Sequence, residues 1–206
     1  MAAAKLRNPG QVCISPTRFL VQEAVADRFT EGFTAALAAA KVGPGMDPDS
    51  AMGPLANERR IPAIERLIRD ALDRGARLAT GGARIGNEGW FFAPTVLTDV
   101  PADAAVMNEE PFGPIAVVNR FRSDDEAFAE ANRLPYGLAS YAWTGSSARA
   151  QRLQDEIQAG MLTINHIGLS LPELPFGGIG DSGMGTEGGS EAIGAYLQTR
   201  FVTRKG

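Results

Sequence analysis

The side chain best suited to covalent chemistry is the single cysteine, Cys13, which lies in the run RNPGQVCIS at residues 7–15. A lone cysteine has no partner for an internal disulfide, so it is either an inert buried thiol or a nucleophile. Gly10 allows a tight turn just before it. Asn8 and Gln11 are poor choices for an apolar core. These neighbours favour the nucleophile.

Titratable neighbours leave two kinds of nucleophilic chemistry open. Lys5 and Arg7 place positive charge close to Cys13, which favours the thiolate over the thiol. The only histidine, His166, follows an apolar segment, and a Cys13–His166 pair would indicate a cysteine hydrolase. A hydrogen-bonded loop residue is the alternative for His166. One cysteine and one histidine do not make a zinc-type cluster.

A pair of adjacent carboxylates, Glu109 and Glu110, precedes the Pro-Phe-Gly-Pro sequence at residues 111–114. Both cannot face a core, and the prolines stiffen the backbone that presents them. A carboxylate at this place could hydrogen-bond a ribose diol or act as a base. A solvated surface turn is the other interpretation, and the residues alone do not decide between them.

The sequence GIGDSG at residues 178–183 has the glycine spacing of a dinucleotide-binding loop. That motif requires a strand before it, a helix opening inside it and an acidic residue about twenty positions later. Here it follows a loop and is followed by more glycine. We therefore interpret it as a tight or flexible loop, and the dinucleotide fingerprint is absent from these residues.

Composition narrows the classes of partner. The chain has 206 residues, of which 44% are hydrophobic and 21% charged, enough for a substantial core. A net charge of −4 and a pI near 5.1 argue against nucleic-acid or anionic-membrane partners. No apolar run is long enough to span a bilayer, and the start lacks the apolar core of a signal peptide. Together with the single cysteine, this predicts a cytoplasmic protein.

Strand and helix signals alternate along the chain. Strands are predicted at residues 17–22, 76–79, 91–97, 115–118, 138–143, 161–164 and 199–203, and helices at 23–40, 58–74, from 123, 146–157 and near 191. Residues 2–8 resemble the end of a helix, which suggests that a segment precedes them. The alternation predicts an α/β fold with a largely parallel sheet flanked by helices, extending over residues 16–180.

Taken in order, these motifs resemble those of the aldehyde dehydrogenase superfamily, over essentially the whole chain but only the family's C-terminal, catalytic half. The segment from Asn8 through Gly10 and Gln11 to Cys13 is similar to the one that carries the family's nucleophilic cysteine. The segment at residues 110–114 is similar to the one whose glutamate binds the nicotinamide ribose. Further matches are Asn132, residues 136–138, residues 175–178 and residues 182–183.

The resemblance implies a reaction and a set of roles. Cys13 would attack an aldehyde, hydride would pass to NAD or NADP, and water would release a carboxylic acid. Glu110 and Phe112 would contact the cofactor, and Asn8, Gly10, Gln11 and Asn165 would support the site. The family's general-base glutamate, its oxyanion asparagine and its cofactor-binding domain lie upstream of the matching segment. We therefore expect this chain to be a fragment that is inactive alone; a catalytically dead remnant or interaction domain is the alternative.

Substrate preference is indicated by residues near the cysteine. Arg7 stands where succinate-semialdehyde dehydrogenases keep an arginine for the distal carboxylate, and Ser170 falls near a serine those enzymes use. The planar guanidinium suits a carboxylate because it can pair with both oxygens. Phe176 is implied as a further substrate contact. Pro9 departs from the small or polar residue usual at its position and could shift the turn that presents Cys13.

The resemblance also divides the chain. Residues 1–185 correspond to the catalytic domain and residues 186–206 to a C-terminal helix and strand used for oligomerisation. We therefore expect a small-molecule aldehyde as substrate and a homo-oligomer formed through the C-terminal strand. An unpaired edge of this kind favours association with another chain.

Overall fold

The computed structural model describes all residues from Met1 to Gly206 and divides into two compact units, Met1–Ala131 and Asn132–Gly206. The domain boundary placed near residue 185 by sequence stays a prediction. Both units combine helices with strands, so the α/β class is confirmed. None of the helices combines the length and hydropathy needed to cross a membrane.

The first unit is built on a four-stranded mixed sheet. Its elements are helix α1 (Ala2–Leu6), strand β1 (Arg18–Gln22), helices α2 (Glu23–Ala38) and α3 (Arg60–Asp73), strands β2 (Arg77–Thr80) and β3 (Thr95–Thr98), helix α4 (Ala105–Asn108), strand β4 (Ile115–Phe121) and helix α5 (Asp124–Ala131). The strand order is β1-β4-β3-β2. β1, β4 and β3 run parallel, and β2 is antiparallel at the edge.

Both faces of the central strand β4 of this sheet are buried. Along β4, Ile115 and Val117 pack with the apolar face of α3, whereas Ala116 and Val118 pack with α1 and α2 on the other side. Successive side chains of a strand point to opposite faces, so a strand covered by helices on both sides must be apolar throughout. This is why the apolar run from residue 115 indicates a buried parallel strand.

Local signals in the sequence set several helix ends. α3 ends where Gly75, at φ 100°, occupies the left-handed position after the helix. The Ala76 amide donates to Ala71 and the Gly75 amide to Leu72, each at 3.0 Å, which forms a Schellman motif. Ser123 caps α5, because its hydroxyl accepts the Glu126 amide at 3.2 Å.

The second unit contains two small sheets. Its elements are strands β5 (Tyr136–Gly137) and β6 (Ala139–Ala142), helix α6 (Ser147–Glu156), strands β7 (Met161–Ile164) and β8 (Ile179–Gly180), and a 3₁₀ helix at Ser190–Tyr196. β6 and β7, which α6 connects, pair in parallel, and β5 and β8 pair in antiparallel orientation. Ser146 caps α6 through the Arg149 amide, as the sequence predicts.

One feature of the predicted fold is wrong, and a second does not appear in this chain by itself. The single largely parallel sheet over residues 16–180 is three separately hydrogen-bonded sheets, two of which contain antiparallel pairs. The C-terminal strand predicted at residues 199–203 is not formed, since residues 197–206 have no regular secondary structure. A strand needs a neighbour for its backbone N–H and C=O groups, and this chain pairs none with the segment.

Substitution of Phe33 tests the packing of α2 on the sheet. The ring of Phe33 is 6% exposed and lies 4.7 Å from the ring of Phe19, centroid to centroid. We expect Phe33→Ala to lower the free energy of unfolding by about 3–5 kcal/mol, because it removes a buried ring and leaves a cavity. Phe201→Ala is the matched control: that ring is 88% exposed, and its loss should change stability by less than about 0.5 kcal/mol. Urea unfolding of both variants measures the difference, and equal effects would contradict the core assignment.

Candidate active site

Cys13 is displayed on a turn that follows α1 directly. Three consecutive residues have positive φ, namely Asn8 at 48°, Pro9 at 28° and Gly10 at 70°. Asn8 closes the turn from both sides: its carbonyl accepts the Gln11 amide at 2.7 Å, and its side-chain amide donates to the Gln11 carbonyl at 2.8 Å. The chain turns again at residues 12–15, and the side chain of Cys13 is exposed. An exposed thiol on a braced turn is free to react.

The sequence suggests that Pro9 could shift the turn that presents Cys13, and this stays a prediction.

The cysteine turn is in direct backbone contact with the turn that contains Glu110. Gly10 lies so close to Gly113 that a methyl group on Gly10 would overlap the Gly113 carbonyl. Gly113 in turn packs on Ile64 of α3. The structure therefore brings together Cys13 and the Glu110 segment, which are nearly one hundred residues apart in the sequence.

The Glu110 turn is fixed from outside by arginines. The guanidinium of Arg60 donates to the Pro111 carbonyl, and Arg66 forms an ion pair with Glu109. Glu109 and Glu110 are both exposed, and Arg66 pairs with Glu109. Phe112 is half-buried and has a φ of 39°.

The loop before α3 holds the cysteine turn as well. Gln11 is 8% exposed, and its side-chain oxygen accepts the Ala56 amide at 2.9 Å. Sequence reasoning did not find this loop or Arg60, because an arginine at the start of an amphipathic helix looks like any solvated charge. No sequence signal distinguishes a guanidinium that holds a distant carbonyl from one that faces water.

Lys5 has the most unusual electrostatic environment of the site. Its side chain is 1% exposed, and its Nζ atom lies 3.4 Å from both the Ser15 and Thr17 hydroxyl oxygens. Burial lowers the pKa of Lys5 from 10.5 to about 7, and the attraction of Glu110 partly opposes this. The sequence places Lys5 near Cys13 as a positive charge but gives no sign that it is buried. At neutral pH the amine is therefore only partly protonated.

The remaining predicted site residues differ in their exposure and in their hydrogen bonds. Arg7 is exposed at the end of α1, and Ser170 is exposed in the loop after β7. Phe176 is half-buried and exchanges both backbone hydrogen bonds with Glu187, at 2.6 and 2.7 Å. Asn165, at φ 65°, accepts the Thr144 amide and donates to the Thr144 carbonyl, both at 2.9 Å. Asn165 thus fixes the ends of β6 and β7.

Two other motifs of the second unit serve the fold. Asn132 donates to the Glu156 carbonyl at 2.8 Å and accepts the Gln158 amide at 2.9 Å, so it holds the end of α6. Gly180 and Gly183 in the glycine-rich stretch have positive φ and lie in a loop that begins with β8. No helix opens there, but residues 179–180 form β8, so the loop predicted at residues 178–183 is confirmed only for residues 181–183.

The histidine of the hydrolase hypothesis has only local hydrogen bonds. The Nδ1 atom of His166 accepts the Gly168 amide at 3.2 Å, and the His166 carbonyl accepts the Thr163 hydroxyl at 2.8 Å. This is the pattern of a loop residue that stabilises its own turn. The geometry around His166 gives no support to a general base.

Substitution of Gly10 tests the contact between the two turns. We expect Gly10→Ala to lower the free energy of unfolding by at least about 2 kcal/mol, because the new methyl meets the Gly113 backbone and alanine disfavours positive φ. Labelling of Cys13 by iodoacetamide should change in rate as the turn moves. In the matched variant Gly32→Ala, within α2 and with open space around it, stability should rise by about 0.5–1 kcal/mol. A Gly10→Ala protein as stable as the parent would contradict this packing.

Replacing Lys5 tests its burial through the pH dependence of stability. The folded pKa of about 7 lies below the unfolded value of 10.5, so the unfolded chain binds more protons between these values and stability rises with pH across that window. We expect Lys5→Met to stabilise the chain by about 2–4 kcal/mol at pH 7 and below, and by progressively less toward pH 10. Urea unfolding from pH 6 to 10 measures this. Lys41→Met replaces an exposed lysine and should change the free energy of unfolding by an amount that varies little with pH. An effect of Lys5→Met on the free energy of unfolding that is the same at every pH would contradict the prediction.

Comparison with known proteins gives the family. Residues 1–202 match the model of the aldehyde dehydrogenase family. A 4-(hydroxymethyl)benzenesulfonate dehydrogenase of Comamonas testosteroni is 44% identical over 202 residues, covering 98% of this chain and 42% of that protein. A succinate-semialdehyde dehydrogenase of Paenarthrobacter nicotinovorans is 44% identical over 200 residues, covering 97% and 44%. The chain therefore spans less than half the length of these relatives.

Solved structures agree with the sequence relatives. An aldehyde dehydrogenase from Brucella melitensis biovar abortus 2308 superimposes with a TM-score of 0.93 at 39% identity, over 98% of this chain and 42% of that one. Lactaldehyde dehydrogenase from Escherichia coli gives a TM-score of 0.94 at 33% identity, with the same coverage. On sequence and on fold, this chain belongs to the aldehyde dehydrogenase family.

Proposed function

We propose that these residues supply the nucleophile and part of the nicotinamide site of an NAD- or NADP-dependent aldehyde dehydrogenase. The observation that carries the proposal is the backbone contact of Gly10 with Gly113, which holds the exposed Cys13 turn against the turn of the exposed Glu110. Family membership supports the same reaction. The relatives are more than twice as long, so the activity of a whole enzyme is part of the proposal.

Cys13 performs the covalent chemistry. Its thiolate adds to the aldehyde carbon, the carbon–sulfur bond forms, and the carbonyl electrons become the alkoxide of a thiohemiacetal. The backbone N–H of Cys13 can donate to this oxygen. Loss of hydride from that carbon gives a thioester, and attack by water then releases the carboxylic acid and restores the thiol.

The cofactor residues are Glu110 and Phe112. NAD or NADP, when bound, supplies the acceptor for the hydride. An exposed carboxylate on a braced turn fits this group, because it can accept hydrogen bonds from a ribose diol, and the ring of Phe112 offers an apolar surface beside it. Glu109 does not fit, because Arg66 already pairs with it.

The substrate we propose is an aldehyde with a distal anionic group. Arg7 is exposed six residues before Cys13, and a guanidinium pairs well with carboxylate or sulfonate oxygens. The names of two relatives contain such groups, a succinate semialdehyde and a benzenesulfonate. Ser170 and Phe176, in the loop after β7, are further proposed substrate contacts, and Asn165 fixes the start of that loop.

Two consequences follow for the chain by itself. The residues that would serve as general base and oxyanion asparagine have no counterpart among the segments matched here, so we propose that the isolated chain reaches the covalent step without turning over. We also propose that residues 186–206 mediate homo-oligomerisation. Apolar side chains in this segment are largely exposed, namely Ile193 at 60%, Tyr196 at 84%, Leu197 at 65%, Phe201 at 88% and Val202 at 70%.

Protection of Cys13 from alkylation tests nucleophile and substrate together. The single cysteine makes intact-mass labelling by iodoacetamide unambiguous. Both aldehydes can form a reversible thiohemiacetal with Cys13, but only the carboxylate of succinate semialdehyde can pair with Arg7. We therefore expect succinate semialdehyde to slow the labelling of Cys13 at a concentration about tenfold lower than the concentration of butanal that has the same effect. Arg7→Met should remove this difference and leave protection by butanal unchanged.

The control is Arg28→Met, which removes an exposed arginine from α2 and should keep the tenfold difference. If neither aldehyde protects Cys13, the proposed nucleophile is wrong. If both protect equally in the parent chain, the anionic substrate is wrong. Cys13 should be labelled rapidly, and a parallel assay with an aldehyde and NAD or NADP should detect no reduced nicotinamide. Formation of reduced nicotinamide by the chain alone would contradict its proposed dependence on further residues.

A further inference from the structure

The amine of Lys5 lies beneath the turn that displays Cys13 and contacts both arms of it. Its Nζ atom is 3.4 Å from the hydroxyl oxygen of Ser15, two residues after Cys13. On the other arm, Nζ lies 3.3 Å from the place a methyl group on Gly10 would occupy, three residues before Cys13. The side chain is buried, so this contact is enclosed by protein.

One anionic side chain acts on this amine from a neighbouring element, the carboxylate of Glu110. The other charged groups around α1 are exposed or paired elsewhere: Arg7 and Glu23 are exposed, Arg18 pairs with Glu130, and Asp27 pairs with Arg120. The amino group of Met1 is at the far end of the short helix. Glu110 is therefore the charged side chain that acts on Lys5, and the contacts with Ser15 and Gly10 place the amine against the turn that carries Cys13.

A lysine in this environment can respond to such an anion. An ordinary lysine is already protonated at neutral pH, so it cannot bind a further proton. Burial lowers the pKa of Lys5 to about 7, so near neutral pH its amine can still bind a proton. A negative charge that appears nearby favours the ammonium form, and by reciprocity the ammonium form favours the negative charge.

We propose that Lys5 is a positioning residue whose charge couples the Cys13 turn to the Glu110 turn, taking up a proton from solvent when an anion forms at Cys13. This goes beyond the proposed function and rests on it only in naming that anion as the thiolate or the oxyanion of its adduct. Lys5 acts through the turn and does not contact the substrate. Its hydrogen bonds to Ser15 and Thr17 hold the amine beneath the turn, where it can respond to that anion.

The test follows the titration of Lys5 by NMR in the parent chain labelled at its lysines. Lys5, Lys41 and Lys205 are the lysines of the sequence, so the other two serve as internal references. Cys13 is alkylated in one sample with iodoacetamide, which adds a neutral group, and in another with iodoacetate, which adds a carboxylate. We expect the midpoint of Lys5 to be higher by about half a pH unit to one pH unit in the anionic adduct, with Lys41 and Lys205 unchanged. Equal midpoints for Lys5 would overturn the proposal.

A pair of carboxylate variants tests the second half of the coupling. Glu110→Gln should lower the midpoint of Lys5 by a similar amount, whereas Glu109→Gln, which removes the adjacent carboxylate paired with Arg66, should leave it in place. Equal effects of the two variants would also overturn the proposal. None of these measurements uses an aldehyde or a nicotinamide. If aldehydes fail to protect Cys13 while the Lys5 midpoint still moves, the proposed function fails and the coupling stands.

Discussion

The structure depends on the close approach of two backbones at Gly10 and Gly113. At this contact a turn after a one-turn helix meets a turn that leads into the central parallel strand, and there is no room for a side chain on Gly10. Nearby anchors act on the same pair of turns: Gln11 accepts from Ala56, and Arg60 donates to Pro111. The segment from Ala56 to Arg60 is therefore a common support. Its effect is to present Cys13 and Glu110 outward while the backbone beneath them is fixed.

Burial of Lys5 is a consequence of the same arrangement. The side chain of Lys5 starts on α1 and is buried, with its amine against Gly10 and the hydroxyl groups of Ser15 and Thr17. Removing an ammonium ion from water is unfavourable, so the amine gives up protons more readily, and only its hydroxyl partners and Glu110 compensate. The chain thus accepts a less favourable core at the point where Cys13 is displayed. Trade-offs of this kind are expected where a site requires charge in a buried place.

How far the sequence predicts this molecule depends on the range of the interactions involved. Helix ends and the apolar strand at residue 115 are set by neighbours in sequence, so they are predictable. Strand partners are set by contacts between distant segments, which is why the sequence predicts one parallel sheet where three sheets form. The segment at residues 199–203 has the composition of a strand, but pairing requires a neighbour that this chain does not provide.

The candidate site shows the same limit in its details. The residue types of Cys13 and Glu110 leave alternatives open, and the family resemblance implies that the two belong to one site. Neither can show that Arg66 pairs with Glu109, since two adjacent glutamates look equivalent in a sequence. Nor can they show that Lys5 is buried, because a lysine near the end of a helix is usually solvated. Charges near a nucleophile therefore have to be assigned from their surroundings in the fold. Here those surroundings separate Glu109, which pairs with Arg66, from Glu110, which acts on Lys5, and a buried lysine from an exposed one.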